Sequence, residues 1–257
     1  MDEVKEQIPV KQQTIMCQLD HEHWIEYKEA ERDLVEYLKN FKNATDEKIA
    51  RSLRGEVMVR IGILRNISAR GKLKDVFSFL ENIVQSGEKI VVFANLHEIF
   101  DRLTAKFPNA VTITGRDSAE QRDANKLKFQ NDPNQKLIFC NLRTGGEGIN
   151  LSSADTIGFI EFGWTAKDMD QAGARIVDYS KNKQLYSYYF AGKNTIDEYM
   201  LEVINNNREM SNEVTGGTTN VEEEVIEGLI NLFFKKDESK ESGTIIDNVN
   251  SDILYIN

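Results

Sequence analysis

A three-layer α/β sandwich, with a central and mainly parallel β-sheet and a helical segment ahead of it, is the architecture that this sequence predicts. Between residues 89 and 190, five short segments are nearly continuous in valine, isoleucine, leucine and phenylalanine. Such runs are typical of strands buried on both faces of a sheet. Helical segments separate most of them, and this alternation favours parallel pairing through right-handed crossovers. The 257 residues, 40% of them hydrophobic, suffice for one core with an appendage.

The segment ahead of the sheet begins with a predicted strand at 9–19 and continues as three helices. Asp20 is expected to cap the first helix, because its carboxylate can accept hydrogen bonds from the free N–H groups of the first turn. The second helix is predicted at 46–67 and the third at 72–85. Gly87 follows as the left-handed residue that often ends a helix.

The chain is divided into three predicted regions. Residues 1–85 hold the first strand and the helices, residues 86–211 form the α/β core, and residues 212–257 combine a linker, an amphipathic helix at 221–234 and an acidic tail. In the core, the predicted strands lie at 89–94, 110–114, 136–140, 156–162 and 184–190. The predicted helices of the core lie at 96–107, 119–131, 168–177 and 195–206.

Composition argues against several classes of protein. No apolar run is long enough to span a bilayer, and the acidic residues after Met1 are the opposite of the basic start of a signal peptide. An intracellular, cytoplasmic protein is therefore expected.

Cys17 and Cys140 lie in apolar segments and are predicted to be buried, reduced thiols. His21 and His23 would point away from each other on a helix, so no metal site is expected. The net charge of −10 argues against nucleic acid at first sight, but more than half of it lies in the tail.

The strongest chemical signal is the sequence TGGEGINL at 144–151, directly after a predicted strand. Three glycines in four residues permit unusual backbone conformations and close approach to a ligand. Parallel sheets bind ligands at the carboxyl ends of their strands. The residues alone therefore leave two interpretations open, a phosphate-binding loop and a structural turn.

This octet, followed by SSAD at 152–155, closely resembles motif V of Swi/Snf-type superfamily-two helicases. Other segments resemble further motifs of that family in the same order. They are SARGKL at 68–73, KIVVFAN at 89–95, ITG at 113–115 with Ser118, Glu120, Arg122 and Phe129, FGWTA at 162–166, DQAGAR at 170–175 and IDE at 196–198. The resemblance covers residues 9–210 and implies the C-terminal RecA-like lobe of an ATP-dependent, DNA-associated translocase or helicase.

The resemblance also implies roles for individual residues. Those expected near nucleotide are Gly146, Glu147 and Gly148 as binding residues, with Gln171 and Arg175 as catalytic residues. Those expected toward DNA are Asn95, Thr114, Arg143, Thr144 and Trp164. The implied partners are double-stranded DNA and the N-terminal RecA-like lobe of the same motor. In such a motor the second lobe brings positive charge to the transferring phosphoryl group.

Two motifs of a complete motor are missing from the sequence. It contains neither a GxxxxGK[ST] phosphate loop nor an acidic Walker B strand. ATP and Mg²⁺ would therefore be held mainly by the first lobe, and no cofactor is expected on this chain alone. By itself the chain is expected not to hydrolyse ATP.

Asp178 departs from the family pattern, which places a second arginine at this position of motif VI. A negative charge about 4 Å from phosphate would change the interaction by roughly 4 kcal/mol at an effective dielectric of about 20. Either Arg175 or Lys181 serves in its place, or the lobe has become a non-catalytic DNA- or protein-binding module. An engineered substitution is a third explanation that the sequence leaves open.

Several side chains also have purely structural interpretations. Trp164 could pack on the edge of the sheet, and Lys72 is interpreted as a solvated helix residue. Tyr186, Tyr188 and Tyr189 lie in a predicted strand, where packing is a simpler role than stacking on bases.

Overall fold

The computed structural model describes residues 10–41, 47–142, 149–178 and 183–213, together with Gly228 and Ile253–Tyr255. Its strands are β1 (Val10–Cys17), β2 (Ile90–Ala94), β3 (Val111–Ile113), β4 (Leu137–Asn141), β5 (Thr156–Phe159), β6 (Leu185–Gly192) and β7 (Ile253–Tyr255). They form one sheet in the order β3-β4-β2-β5-β6-β1-β7. Every strand pair in the described part of the chain is parallel. The predicted parallel sheet is therefore confirmed.

The helices lie close to their predicted positions. They are α1 (His21–Phe41), α2 (Glu47–Gly71), α3 (Leu73–Ser86), α4 (His97–Lys106), α5 (Ala119–Asn131), α6 (Ala166–Gly173) and α7 (Ile196–Glu213). Asp20 caps α1, since its Oδ1 accepts from the backbone N–H of His23 at 3.0 Å. Gly87 ends α3 with a φ of 81°, in the left-handed region that favours glycine.

Several predicted boundaries differ from the structure, since α2 continues to Gly71 rather than 67 and α7 to Glu213 rather than 206. The strand predicted to reach residue 162 ends at Phe159, because Glu161 turns its carboxylate to the loop after β2. The helix predicted at 168–177 begins at Ala166, since Thr165 and Asp168 form a reciprocal capping box. That helix stops at Gly173, and a 3-10 turn follows at Ala174–Ile176.

Two hydrophobic layers cover the two faces of the sheet. One contains Val92 of β2 packed with side chains of α3 and α4, such as Leu80 and Leu103. The other contains Phe93 of β2 with side chains of α1, α2, α5, α6 and α7. On this face the rings of Phe93 and Phe159 stack with centroids 5.4 Å apart. Alternate β2 side chains thus enter opposite layers, which gives the predicted three-layer, RecA-like sandwich.

The tyrosines of β6 pack, as predicted. Tyr189 stacks on Phe159 with ring centroids 5.2 Å apart, inside the core layer. Tyr188 meets Phe79 edge-on at 4.9 Å and stacks on Tyr186 at 6.4 Å.

The helices α1 and α2 form an antiparallel pair ahead of the core. Asp33 pairs with Arg60 at 2.9 Å, and Glu26 pairs with Arg70 at 2.9 Å. The region 1–85 also supplies β1, which pairs with β6 along its whole length. Although this region contributes to the sheet, the three proposed regional boundaries stay predictions.

Lys72 is not the solvated helix residue that the sequence predicted. It is 1% exposed, and its Nζ donates to Asp197 Oδ2 at 2.6 Å and to the carbonyl of Phe190 at 2.7 Å. The same Oδ2 accepts from Ser68 Oγ at 2.7 Å and from the N–H of Gly192 at 2.9 Å. This buried network joins the α2–α3 junction to the end of β6 and the start of α7.

Cys17 and Cys140 are buried and unpaired, as predicted. Burial raises the pKa of both thiols from 9.0 to about 12. In the described part of the chain, no group of three or more histidine, cysteine, aspartate or glutamate side chains could hold a metal ion. No helix of that part is long and apolar enough to cross a membrane.

The amphipathic helix predicted at 221–234 lies outside the described residues except for Gly228. This residue is helical, and a Cβ added to it would lie 3.3 Å from Val203 Cγ2. Gly228 therefore lies against α7.

Candidate functional site at the carboxyl edge of the sheet

The three adjacent strands β4, β2 and β5 end side by side at the carboxyl edge of the sheet. Ala94 of β2 is in register with Asn141 of β4, and Phe93 is in register with Phe159 of β5. Residues just beyond these ends share one surface, because parallel strands end at the same edge. Ligands of open α/β sheets bind outside this edge.

Asn95, a predicted DNA-binding residue, directly follows β2 and is held through its backbone. Its N–H donates to Glu161 Oε2 at 2.8 Å, and its carbonyl accepts from Asn141 Nδ2 at 3.3 Å. Its own Oδ1 is buried and has no hydrogen-bond partner among the described residues. Buried polar atoms are usually paired, so the unpartnered Oδ1 of Asn95 is an exception among the described residues.

Arg175, a predicted catalytic residue, lies in the 3-10 turn after α6. Its guanidinium carbon lies 5.2 Å from the ring centroid of Phe93, and Nη1 is buried with no partner in the described part of the chain. Burial lowers the pKa of the guanidinium, which an arginine nonetheless keeps well above neutral pH. The site therefore contains a charged guanidinium whose Nη1 has no hydrogen-bond acceptor among the described residues.

Gln171, the other predicted catalytic residue, lies on α6 four positions before Arg175. Its side chain is exposed. The structure therefore places Gln171 at the surface and Arg175 half-buried, on two consecutive elements.

Trp164, predicted to face DNA, is half-buried in the loop between β5 and α6. The guanidinium carbon of Arg65 lies 4.4 Å from its ring centroid, and Arg65 Nη2 donates to the carbonyl of Phe162 at 2.5 Å. A Cβ on the neighbouring Gly163 would lie only 2.5 Å from Asp168 Cβ, so the loop requires glycine there. Trp164 is thus packed against Arg65 of α2, whereas its structural interpretation placed it on the edge of the sheet. Its DNA contact stays a prediction.

Thr114 lies beyond the end of β3, at the outer edge of the sheet. It is 5% exposed, and both its hydroxyl and its N–H donate to Asp117 Oδ2, at 2.8 and 2.6 Å. The strand β4 separates it from Asn95. The hydroxyl is already committed to the turn, and its role toward DNA stays a prediction.

Residues 143–148 of the glycine-rich segment lie outside the described residues, and five predicted site residues are among them. They are Arg143, Thr144, Gly146, Glu147 and Gly148. The described residues on either side are fixed, since Leu142 N–H donates to Ala94 O at 3.3 Å and Leu151 N–H donates to Arg175 O at 2.8 Å. Leu142 and Leu151, which flank these residues, therefore lie next to Ala94 and Arg175.

Sequence reasoning missed two residues that shape this surface, Glu161 and Arg65. Glu161 is 8% exposed and accepts from the N–H groups of both Asn95 and Leu96. An acidic residue at the end of a buried strand was a visible signal. Arg65 gave no such signal, because it lies on a helix of ordinary composition about a hundred positions before Trp164.

Comparison with known proteins supports the resemblance to a helicase C-terminal lobe. Residues 71–179 match the family model of the helicase conserved C-terminal domain. The helicase SWR1 of Kluyveromyces lactis is 27% identical over 149 residues, which cover 56% of this chain and 9% of that protein. The SWI/SNF-related matrix-associated actin-dependent regulator of chromatin subfamily A-like protein 1 of Xenopus tropicalis is 27% identical over 174 residues, 66% of this chain and 17% of that protein. The chain therefore spans less than a fifth of the length of either relative.

Two solved structures share the fold. The C-terminal part of the Fun30 ATPase domain aligns with a TM-score of 0.70 at 14% identity, covering 90% of this chain and 98% of that one. The Sulfolobus solfataricus SWI2/SNF2 ATPase core in complex with double-stranded DNA aligns with a TM-score of 0.64 at 21% identity, covering 90% of this chain and 49% of that one.

The parallel sheet has the fold of a RecA-like lobe, and residues 71–179 match the helicase conserved C-terminal domain. More narrowly, its relatives make the chain similar to the C-terminal lobe of Swi/Snf-type superfamily-two proteins.

Proposed function

We propose that this chain is the C-terminal motor lobe of an ATP-dependent DNA translocase, and that it contributes motifs IV, V and VI to the ATP site and the DNA track. The observation that carries the proposal is the buried Nη1 of Arg175, a donor at the carboxyl edge with no partner among the described residues. Leu151, at the end of the glycine-rich segment, is hydrogen-bonded to the carbonyl of Arg175. Uncompensated buried polar groups are rare, and a catalytic role or a bound ion is one explanation for them.

Arg175 is suited to face the triphosphate. Its guanidinium remains charged and is shielded from water, which strengthens its interaction with an anion. ATP with Mg²⁺ supplies the phosphoryl group and neutralises part of its charge. The described part of the chain has no carboxylate cluster for a metal ion, so we assign the magnesium ligands and the phosphate cradle to the N-terminal lobe.

Asn95 and Trp164 are suited to face the DNA backbone. A carboxamide donates to phosphate oxygens, and contacts of this kind fix the register of a protein on the duplex without reading its sequence. The solved Sulfolobus core with double-stranded DNA supports the same partner here. A DNA-associated location follows from this proposal.

A second candidate is a non-catalytic lobe that docks on DNA or protein. Asp178 favours it, since the family pattern places an arginine there and Asp178 lies only three residues after Arg175. In this case Arg175 would still attract phosphate, but the transition state would lack its second positive charge.

The test is the DNA-stimulated ATPase activity of this chain joined to its natural first lobe, with Asp178 unchanged and with Asp178→Arg. Turnover by the unchanged protein would support the motor and leave Arg175 as the phosphate-facing cation. Turnover by Asp178→Arg alone would support the non-catalytic lobe. If neither protein hydrolyses ATP, the catalytic proposal is wrong and the fold alone remains.

A further inference from the structure

Glu161 joins two strands at the carboxyl edge through a single oxygen atom. Its Oε2 accepts from Asn95 N–H at 2.8 Å and from Leu96 N–H at 2.9 Å, and the residue is 8% exposed. We propose that Glu161 is a positioning residue for Asn95, and that through Asn95 it sets the affinity of the lobe for the phosphate backbone of double-stranded DNA. This inference rests on the proposed function, because it deepens the DNA-binding role of Asn95.

Glu161 fixes the chain where it enters α4. Leu96 is the N-cap residue of α4 and has no side chain that could accept a hydrogen bond. Glu161 accepts from the N–H groups of Asn95 and Leu96, which directly precede the first turn of the helix. A buried carboxylate near a helix N-terminus is also stabilised by the positive end of the helix dipole.

Only two residues, Asn95 and Leu96, connect β2 to α4, so the carboxylate fixes this whole connection. On the other side, Asn141 Nδ2 donates to the carbonyl of Asn95 at 3.3 Å. The backbone of Asn95 is thus held by Glu161, which follows β5, and by Asn141 of β4. A shift of this backbone moves the Cβ of Asn95 and its carboxamide with it, which makes the position of the carboxamide sensitive to Glu161.

A carboxylate close to a DNA track would repel phosphate if it were exposed. Glu161 avoids much of this repulsion because it is buried and accepts two N–H groups. We therefore expect Glu161 to act by accepting these hydrogen bonds with a side chain of the right length, and not through its negative charge. Glu161→Gln keeps an acceptor of the same length, whereas Glu161→Asp keeps the charge and shortens the reach by one methylene. The two variants consequently separate geometry from charge.

The experiment measures the affinity of the full 257-residue chain for a short fluorescent duplex DNA by anisotropy at several salt concentrations. Asn95→Ala is expected to weaken binding about tenfold, as the loss of one hydrogen bond to a charged group would. The slope of log K against log salt should change little, because Asn95 carries no charge. Glu161→Ala should match Asn95→Ala, and the double variant should lose nothing more. Glu161→Gln should bind within about twofold of the unaltered chain, and Glu161→Asp should bind less tightly than Glu161→Gln.

Ser118→Ala is the matched control. Ser118 caps α5 by accepting from Gln121 N–H at 3.2 Å, so this variant likewise removes a side-chain acceptor at the start of a helix. It should lower the melting temperature without changing DNA affinity. Glu161→Asp replaces Glu161→Ala in the comparison if the alanine variant is unfolded at the assay temperature.

The outcomes separate the two proposals. If Asn95→Ala binds DNA normally, the DNA-binding role of Asn95 is wrong, and the inference fails with it. If Asn95→Ala binds weakly while Glu161→Ala and Glu161→Asp bind normally, the inference alone is wrong. If Glu161→Ala weakens DNA binding by the same factor in the unaltered chain and in the Asn95→Ala variant, the inference is also wrong. Glu161 would then act independently of Asn95.

Discussion

Replacing Lys72 by methionine should destabilise the lobe more than any surface substitution, although the two side chains have similar volumes. In the structure Lys72 Nζ is the only described cation in hydrogen-bond contact with the buried carboxylate of Asp197, at 2.6 Å. Lys72 is 1% exposed and Asp197 4% exposed. Methionine therefore leaves a buried carboxylate without a counter-charge.

The magnitude follows from the cost of such a charge. Removing one partner of a buried ion pair typically costs about 3 to 5 kcal/mol. Asp197 retains the hydrogen bonds from Ser68 and Gly192, which places the expected loss near the lower end, at about 3 kcal/mol. The total stability of a domain is about 5 to 15 kcal/mol, so this loss is a large share of it.

The assay is urea unfolding followed by circular dichroism, with Lys74→Met as the control. Lys74 is exposed on the same helix, and its replacement should change the unfolding free energy by less than about 0.5 kcal/mol. Adding Asp197→Asn to Lys72→Met removes the orphaned charge and should recover about 1 kcal/mol or more. Equal losses from Lys72→Met and Lys74→Met, or simple additivity with Asp197→Asn, would refute the reasoning.

Two further outcomes follow from buried groups. The pKa values of the Cys17 and Cys140 thiols are raised from 9.0 to about 12, so below pH 9 both the folded and the unfolded chain hold these protons and stability is complete. As pH rises from 9 to 12, only the unfolded chain releases these protons, so each thiol should lower the unfolding free energy by roughly 1.4 kcal/mol per pH unit. The double variant Cys17→Ala, Cys140→Ala should therefore lose less stability over this range. If its unfolding free energy falls with pH as steeply as that of the unaltered chain, the prediction is wrong. Separately, Arg65→Ala in a Trp24→Phe background should shift the fluorescence of Trp164 to longer wavelength and cost about 1 kcal/mol, through lost cation–π stacking; an unchanged emission spectrum would count against the contact.

The strands and most helix ends could be predicted from the sequence because their causes are local. Nearly continuous apolar segments predicted β2, β4 and β6, which lie within one or two residues of the expected positions. Gly87 ended α3 and Asp20 capped α1, since both act on the backbone next to them. The end of β5 was predicted too late, because Glu161 leaves the ladder to bind a loop distant in sequence.

The polar contacts of the interior could not be predicted in the same way. Lys72 is separated from Asp197 by 125 positions, and nothing in its neighbourhood distinguishes it from the exposed Lys74. Arg65 and Trp164 likewise meet only because α2 packs beside the end of the sheet. Local patterns indicate which face of a helix is apolar. They do not indicate which polar side chain finds a partner from another element.

Arg175 is the side chain whose arrangement argues most strongly for a binding role. A half-buried guanidinium whose buried Nη1 has no partner among the described residues costs a folded domain stability. A lobe that only binds protein would gain nothing from this arginine. A lobe that closes on a triphosphate gains a cation already in position and partly shielded from water, where electrostatic stabilisation is strong. The negative charge of Asp178 would reduce the stabilisation of a transition state. Arg175 is the reason to expect an anion at this edge of the sheet.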